Sequence, residues 1–122
     1  MESRRQARFS KVMQEELAAY FLKNSRKFSE GMINVNRVRV SGDLGVVSVY
    51  LGIFSTKEEP QKVVDFINAS VKEIRGFVGN QIRHQVKKVP ELRFYYDDTA
   101  DYVEKMDEIF ERLNKPKDKG EE

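Results

Sequence analysis

A single helical pattern in the middle of the chain limits its possible folds more than any other feature. From Val63 to Val86, over 24 residues, apolar residues recur at three- and four-residue steps. A typical helix of a globular protein has about 11–12 residues. Gly76 and Gly79 lie inside the pattern, and each costs a helix interior about 1 kcal/mol relative to alanine. We therefore predict a bent helix, or two helices joined at an angle, with the glycines as candidate positions of the bend.

Strand patterns lie on both sides of this helical segment. Residues 33–40 and 45–54 alternate apolar and polar side chains around the turn-forming sequence SGDLG, which predicts a β-hairpin. The sequence ELRFYY at 91–96 alternates in the same way and predicts a third strand. Basic and aromatic side chains on an open sheet can bind RNA, although such a face is more often only solvated. The open face is predicted to carry Arg37, Arg39, Tyr50, Arg93 and Tyr95.

Amphipathic helices are predicted at both ends of the chain. The first covers residues 3–23, and the last begins at Asp97 with an acidic first turn. The resulting order is α-β-β-α(kinked)-β plus a C-terminal helix. We predict a single α+β domain of the KH-like kind, in the type II order, with a three-stranded sheet covered on one face by helices. The domain covers residues 1–113, and residues 114–122 have the composition of a disordered polar tail.

Basic residues concentrate in two blocks, although the formal net charge is only +2. Residues 1–27 carry seven Lys and Arg against three Glu, and residues 72–93 carry six against two. Residues 94–122 reverse this balance, with ten acids against five bases. If the first helix packs beside the long one, the two blocks merge into one phosphate-binding surface. The predicted RNA-binding residues are Arg4, Arg5, Arg8, Lys11, Lys72, Arg75, Arg83, His84, Lys87 and Lys88.

The second block is predicted to form two basic ridges at the end of the long helix. Arg83 and Lys87 are four residues apart, as are His84 and Lys88, and such pairs are neighbours on a helix surface. Cations near a helix C-terminus are also favoured by the helix dipole, which explains part of the cluster without RNA. The dipole does not explain the other block, at residues 4–11, so we favour an RNA contact.

The pattern G-x-x-G occurs twice, as GDLG (42–45) and GFVG (76–79). KH domains clamp single-stranded nucleic acid with a loop of this pattern. GDLG carries an acid that would repel phosphate and lies in the predicted hairpin turn. GFVG carries Phe77 and Val78 where clamping loops have small or basic residues, and Val78 fits the apolar stripe of the helix. We interpret GFVG as a helix bend or a close-packing point.

Groups suited to catalysis or metal binding are sparse. The chain has one histidine and no cysteine, which excludes disulfides and thiolate metal sites. DDTAD at 97–101 offers carboxylates that could hold magnesium, but an acidic helix start explains them more simply. We predict no enzymatic activity, metal or cofactor. No apolar segment reaches the roughly 20 residues of a membrane helix and no signal peptide is evident, so we expect a cytoplasmic protein.

Three stretches resemble the ribosome-binding factor A family. They are RRQARFSKVMQEELAAYF at 4–21, VSGDLGVVSVYLGIF at 40–54 and RHQVKKVPELRFYYDD at 83–98. The likeness extends from about residue 4 to about residue 112, with the elements in the same order and spacing. The RHQ before VPEL is similar to the Bacteroidetes branch of the family.

This resemblance implies a fold and a function. Family members have a KH-like fold, bind the small (30S) ribosomal subunit during its assembly, help to mature 16S rRNA and matter most in the cold. They are not enzymes, and their RNA contacts come mainly from the basic face of the helices. Many members bend the long helix at Ala-x-Gly, which corresponds here to Ser70–Lys72 and makes this segment the second candidate for the bend. The implied partner is the small subunit with its 16S rRNA, bound by a monomer, with no membrane and no small-molecule substrate.

Two other classes of function are compatible with the residues alone. A protein–protein interaction module could use the acidic C-terminal helix against a basic partner, and its binding would survive loss of both basic blocks. A metal-dependent hydrolase would instead need Asp97 and Asp98 for turnover of a phosphodiester.

Overall fold

The structure is a computed structural model that describes residues 2–54 and 56–99. Its elements are α1 (Arg4–Asn24), a 3-10 turn (Ser25–Lys27), β1 (Met32–Val40), β2 (Val46–Phe54), α2 (Pro60–Ala69), α3 (Val71–Ile82) and β3 (Glu91–Tyr96). The order of helices and strands up to β3 is the predicted one. The predicted C-terminal helix from residue 100 onward and the predicted tail at 114–122 lie outside the described residues.

The three strands form one mixed sheet in the order β1-β2-β3. β1 and β2 are antiparallel, as expected for a hairpin, and β3 runs parallel to β2 after the crossover through α2 and α3. Opposite partners such as Val49 and Phe94 put their side chains on the same face, which is buried under the helices. The prediction of an α+β sheet covered on one face is confirmed.

The core lies between this covered face and all three helices. α1 contributes the stripe Met13, Leu17 and Phe21, and each of these side chains is almost fully buried. α1 begins at a capping box in which the Ser3 hydroxyl accepts from the Gln6 backbone N–H and the Gln6 side chain accepts from the Ser3 N–H. The cap satisfies two backbone donors at a helix start that has no acidic residue in its first turn.

Side-chain amides of the helices cover both edges of the sheet. At the β1 edge, Gln6 and Gln14 of α1 donate to the backbone carbonyls of Val40 and Val35, at 2.9 and 3.3 Å. At the β3 edge, the Asn68 amide donates to the Phe94 carbonyl at 2.8 Å and accepts from the Phe94 N–H at 3.0 Å. These bonds occupy backbone groups that would otherwise be a template for another strand.

The long helix breaks at Ser70 and not at the glycines. Two helices joined by a break are confirmed, and the break falls at the segment that the family resemblance indicated. Ser70 has φ −103° and ψ 15°, which any residue adopts, so no glycine is needed there. Because Asn68 is bonded to β3 two residues earlier, the end of α2 is fixed by a tertiary contact. The prediction that Gly76 and Gly79 ease the bend is wrong.

The turn between β1 and β2 depends on a leucine in the left-handed region. Leu44 has φ 59°, whereas neither Gly42 nor Gly45 has a positive φ, so these glycines do not supply the conformation of the turn. The Leu44 side chain is buried against the core, which offsets the backbone strain. The Asp43 carboxylate accepts from the Ser41 hydroxyl and the Gly45 N–H, at 2.7 and 2.9 Å. The turn is therefore fixed by burial and by side-chain hydrogen bonds.

Candidate nucleic-acid interface

The basic residues after α3 lie in a loop and not on a helix. α3 ends at Ile82, and the Gln85 N–H donates to the Ile82 carbonyl in a tight turn. Residues 83–90, here called the basic loop, have no helical structure. The prediction that Arg83 and Lys87, and likewise His84 and Lys88, form helical ridges is wrong. The predicted pattern continued past Ile82 because Val86 also fits a helical stripe, and Val86 packs against the core from the loop instead.

Arg75 and Gly79 of α3 hold the basic loop in place. The Arg75 guanidinium donates through Nε to the Pro90 carbonyl at 3.0 Å and through Nη2 to the Val89 carbonyl at 2.9 Å. At Gly79, an added Cβ would lie 2.9 Å from Cγ2 of Val89, so the missing side chain lets the loop pack on the helix. No neighbouring atom lies within 4 Å of the corresponding position at Gly76. GFVG is thus a close-packing point, through its second glycine.

The two glycines predict opposite effects of substitution by alanine. We expect Gly76→Ala to stabilise the protein by about 0.5–1 kcal/mol, because alanine favours the helix and the position is open. Gly79→Ala should destabilise it by about 1–3 kcal/mol, the usual cost of overpacking. Val89 cannot easily move away, since it is β-branched and its carbonyl is bonded to Arg75. Urea denaturation of the two variants measures both values, and equal effects would contradict the close approach.

The basic loop, the β1–β2 turn and the start of α1 enclose one open cleft of about 1000 Å³. The Glu91 N–H donates to the Gly45 carbonyl at 2.9 Å and joins the end of the loop to the turn. Five of the ten predicted RNA-binding residues line this cleft, here called the basic cleft. They are Arg5, Arg75, His84, Lys87 and Lys88. Of the first basic block, Arg5 thus lines the same cleft as residues of the second block, and phosphate binding by this surface stays a prediction.

Two acids also line the basic cleft, and both are engaged elsewhere. Hydrogen bonds from the Ser41 hydroxyl and, to a lesser extent, from the Gly45 N–H lower the pKa of Asp43. The Asp43 carboxylate therefore has hydrogen-bond donors within its own turn. The Glu91 carboxylate pairs with Arg93 Nε at 2.5 Å. Four Lys and Arg side chains line the cleft and outnumber the two acids, so the cleft has an excess of positive charge.

The other five predicted residues are exposed but do not line the cleft. Arg8 is three residues from Arg5, and Lys11 is three residues from Arg8, so the positive charge continues along α1. Arg4 lies on the same first turns, and Arg83 begins the basic loop. Lys72 stands apart, because it is near the start of α3, about 15 Å along the helix from Ile82.

One cleft residue and one structural role were missed from the sequence. Gln85 lines the cleft with an amide that can donate and accept, but no pattern distinguishes it apart from its position between basic residues. Arg75 was predicted only as a phosphate contact, whereas two of its donors bind backbone carbonyls. The acceptors, Val89 and Pro90, lie in a loop where their carbonyls have no helical partners, and no local sequence pattern indicates that Arg75 binds them.

We expect replacement of Arg75 by glutamine to loosen the basic loop. The guanidinium makes two charge-assisted hydrogen bonds in a half-buried position, so Arg75→Gln should cost about 2 kcal/mol in the free energy of unfolding. Arg26→Gln is a suitable control, since Arg26 is exposed in the 3-10 turn and should change stability by less than about 0.5 kcal/mol. Equal midpoints of thermal unfolding for the two variants would contradict the anchoring role.

In the described part of DDTAD, the first carboxylate, that of Asp97, accepts hydrogen bonds from neighbouring residues. Asp97 accepts from the Thr99 N–H at 3.0 Å and from the Asn36 side-chain amide at 3.1 Å. Hydrogen bonding from Thr99 is the main cause of its lowered pKa. Among residues 2–54 and 56–99, no group of three His, Asp or Glu side chains could hold a metal ion. Asp101 lies outside these residues.

Within the same ranges, no helix has the length and apolarity that a membrane crossing requires.

The fold and the cleft define a KH-like α+β domain with a cleft of net positive charge. The family model described as ribosome-binding factor A matches residues 5–110. The chain belongs to the ribosome-binding factor A family, which is a family of ribosome-binding factors and not of enzymes.

Curated relatives with this name extend over nearly the whole chain. The protein of Cytophaga hutchinsonii is 38% identical over 122 residues, which cover 99% of this chain and 91% of the relative. That of Flavobacterium psychrophilum is 37% identical, over 88% of this chain and 83% of the relative. The predicted family and its Bacteroidetes-like branch are confirmed.

Solved structures of the family have the same fold. The crystal structure of ribosome-binding factor A from Thermus thermophilus has a TM-score of 0.64 at 20% identity, over 75% of this chain and 93% of that one. A homology model of the Thermus protein, fitted into a cryo-EM map of its complex with 30S, has a TM-score of 0.60 at 20% identity, over 73% and 91% of the two chains. At this identity, the likeness supports the KH-like fold.

Proposed function

We propose that this protein binds the small ribosomal subunit through its 16S rRNA, assists maturation of that rRNA, and matters most in the cold. The observation that carries the proposal is the basic cleft, in which Arg5 of the first helix meets four basic side chains from residues 75–88. The Thermus relative described in a complex with 30S supports the choice of partner. The protein acts in the cytoplasm as a monomer, without a cofactor.

The mechanism is electrostatic docking to folded RNA. Lys and Arg side chains that neutralise phosphates release the counterions condensed on the RNA, and this release favours binding. Phosphate contacts orient a protein but carry little sequence information, so recognition depends on the shape of the rRNA. Binding one rRNA conformation more tightly than others shifts the population towards it. The contacting residues are Arg4, Arg5, Arg8, Lys11, Arg75, Arg83, Lys87 and Lys88, with smaller contributions from Lys72 and His84.

Co-sedimentation with small subunits across a salt series tests this mechanism. If about five phosphates are neutralised, the logarithm of the affinity should fall linearly with the logarithm of salt, with a slope of about −3.5 to −4.5. Between 50 and 200 mM salt, the affinity should therefore decrease by roughly two to three orders of magnitude. Binding that is insensitive to salt would contradict the proposal and favour a protein–protein interface.

A further inference from the structure

The open face of the sheet carries a stack of three side chains that crosses all three strands. The guanidinium carbon of Arg37 on β1 lies 4.4 Å from the centroid of the Tyr50 ring on β2. Tyr50 in turn stacks on Tyr95 of β3, with ring centroids 5.4 Å apart and an angle of 24° between the planes. Arg37, Tyr50 and Tyr95 are partners in register across the sheet, so the stack follows the strand order.

The stack ends at an exposed ring on an edge strand. Tyr95 is 41% exposed, and among residues 2–54 and 56–99 β3 pairs only with β2, which makes β3 an edge strand of the described sheet. In the described part of the chain, the helices pack on the opposite face of the sheet, and none covers the stack. Phe54, 37% exposed, lies on the same face with its ring over Gly52, where an added Cβ would be 2.7 Å from the ring. The open face therefore presents three aromatic rings to solvent.

Three arginines lie beside these rings, together with two acids. Arg39 is exposed beside the stack, and Arg37 forms one end of it. Arg93 adds a third guanidinium, which is paired with Glu91, and Asp97 lies at the rim. Planar rings next to guanidinium groups are the chemistry that binds unpaired bases and their phosphates. An acidic protein surface would be attracted by the arginines, but its carboxylates would not stack on ordered, parallel rings.

We propose that the open face binds an unpaired segment of RNA, with a base stacked on Tyr95 and the phosphates close to Arg39 and Arg37. This site is separate from the basic cleft, since Tyr95 is four residues from Glu91 at the rim of the cleft, about 13 Å along the strand. The proposal rests on the proposed function for the source of the RNA, a single-stranded region of the rRNA beside the helical part held by the cleft. The binding of an unpaired strand itself is a property of the face.

The test compares Tyr95→Leu with Tyr95→Phe, of which only the second keeps an aromatic ring. The probe is a ten-nucleotide single-stranded RNA that contains 4-thiouridine, and binding is measured at 50, 150 and 300 mM salt. Tyr95→Leu removes the ring on which one base would stack, so it should bind the RNA about tenfold more weakly than Tyr95→Phe. Because stacking does not depend on counterions, this ratio should stay constant while both affinities fall with salt. Light-induced cross-links should map to Tyr95, Tyr50 or Phe54.

A second background separates this proposal from the function of the cleft. In a chain that also carries Arg83→Glu, Lys87→Glu and Lys88→Glu, the ratio between the two Tyr95 variants should still be about tenfold. If the two variants bind the RNA within twofold of each other, or cross-links map only to the cleft, the open-face site is wrong and the cleft is unaffected. If Tyr95→Leu loses small-subunit binding with unchanged RNA affinity, the face binds a protein and the proposal is also overturned. If the three cleft substitutions leave binding to the small subunit intact, and the two Tyr95 variants still differ about tenfold in RNA affinity, the proposed function is wrong and the open-face site is supported.

Discussion

A variant with Arg83→Glu, Lys87→Glu and Lys88→Glu is expected to lose at least about a hundredfold in affinity for the small subunit at about 0.1 M salt. Each change removes a cation from the basic loop and adds an anion where a phosphate would lie. Lys87 and Lys88 line the basic cleft, and Arg83 begins the loop. The salt dependence should also become shallower, by about one unit of slope for each lost phosphate contact. Co-sedimentation of the variant with small subunits across the salt series measures both effects.

A control with the same change in net charge shows whether the position of the charges matters. Lys23→Glu, Lys57→Glu and Lys62→Glu alter three exposed lysines that do not line the cleft. This variant should bind within about threefold of the original, since charges more than about 10 Å from the phosphates are largely screened at 0.1 M salt. Equal losses in the two variants would show that only the net charge matters, and the cleft would then have no special role.

Phe21→Ala is expected to remove about 3–5 kcal/mol from the free energy of unfolding, the usual range for a buried phenylalanine. Phe21 is 1% exposed and lies between α1 and the sheet, with its ring edge-on to those of Phe28 and Phe94 at 6.0 Å. Removing the ring leaves a cavity at the junction of α1, the 3-10 turn and β3. Since small domains are stable by about 5–15 kcal/mol in total, this loss is a large part of the stability, and the midpoint of urea unfolding should fall to a much lower urea concentration.

The adjacent residue provides the control for this effect. Leu22 is a larger-than-average apolar residue of the same helix, but it is 85% exposed. Leu22→Ala should change stability by less than about 0.5 kcal/mol, since no packing is lost and alanine is a good helix former. Urea denaturation followed by circular dichroism compares the variants, and similar midpoints would contradict the assigned core.

The sheet could be predicted from the sequence because its signals are local. In β2, Val47, Val49 and Leu51 alternate with polar or small residues, and this alternation alone decides which face is buried. The hairpin turn was located by its sequence, but the sequence did not indicate which residue of the turn has the positive φ. Leu44 adopts the positive φ because its side chain reaches the core, and a tertiary contact of this kind leaves no local pattern.

The helix break and the loop conformation depend on contacts between distant segments. Glycine propensity favoured a bend at Gly76, whereas the bond of Asn68 to Phe94 fixes the end of α2, and these residues are far apart in the sequence. Similarly, the helical spacing from Arg83 to Lys88 concealed a loop that Arg75 holds through the carbonyl of Val89. Charge clustering nevertheless indicated five of the residues that line the cleft, because several residues of this surface are also clustered along the chain.

The bond between Glu91 and Gly45 has a consequence for the timing of protein synthesis. The basic cleft needs Arg5 near the start of the chain, the turn at Gly45 and the loop that ends where β3 begins. A ribosome adds about 5–20 residues per second, so Arg5 precedes the completed third strand by about 5–20 s. During this interval the nascent chain has basic segments but no assembled cleft. The basic cleft is therefore complete only after β3 has been synthesised and paired with β2, and it does not form gradually as the basic residues emerge.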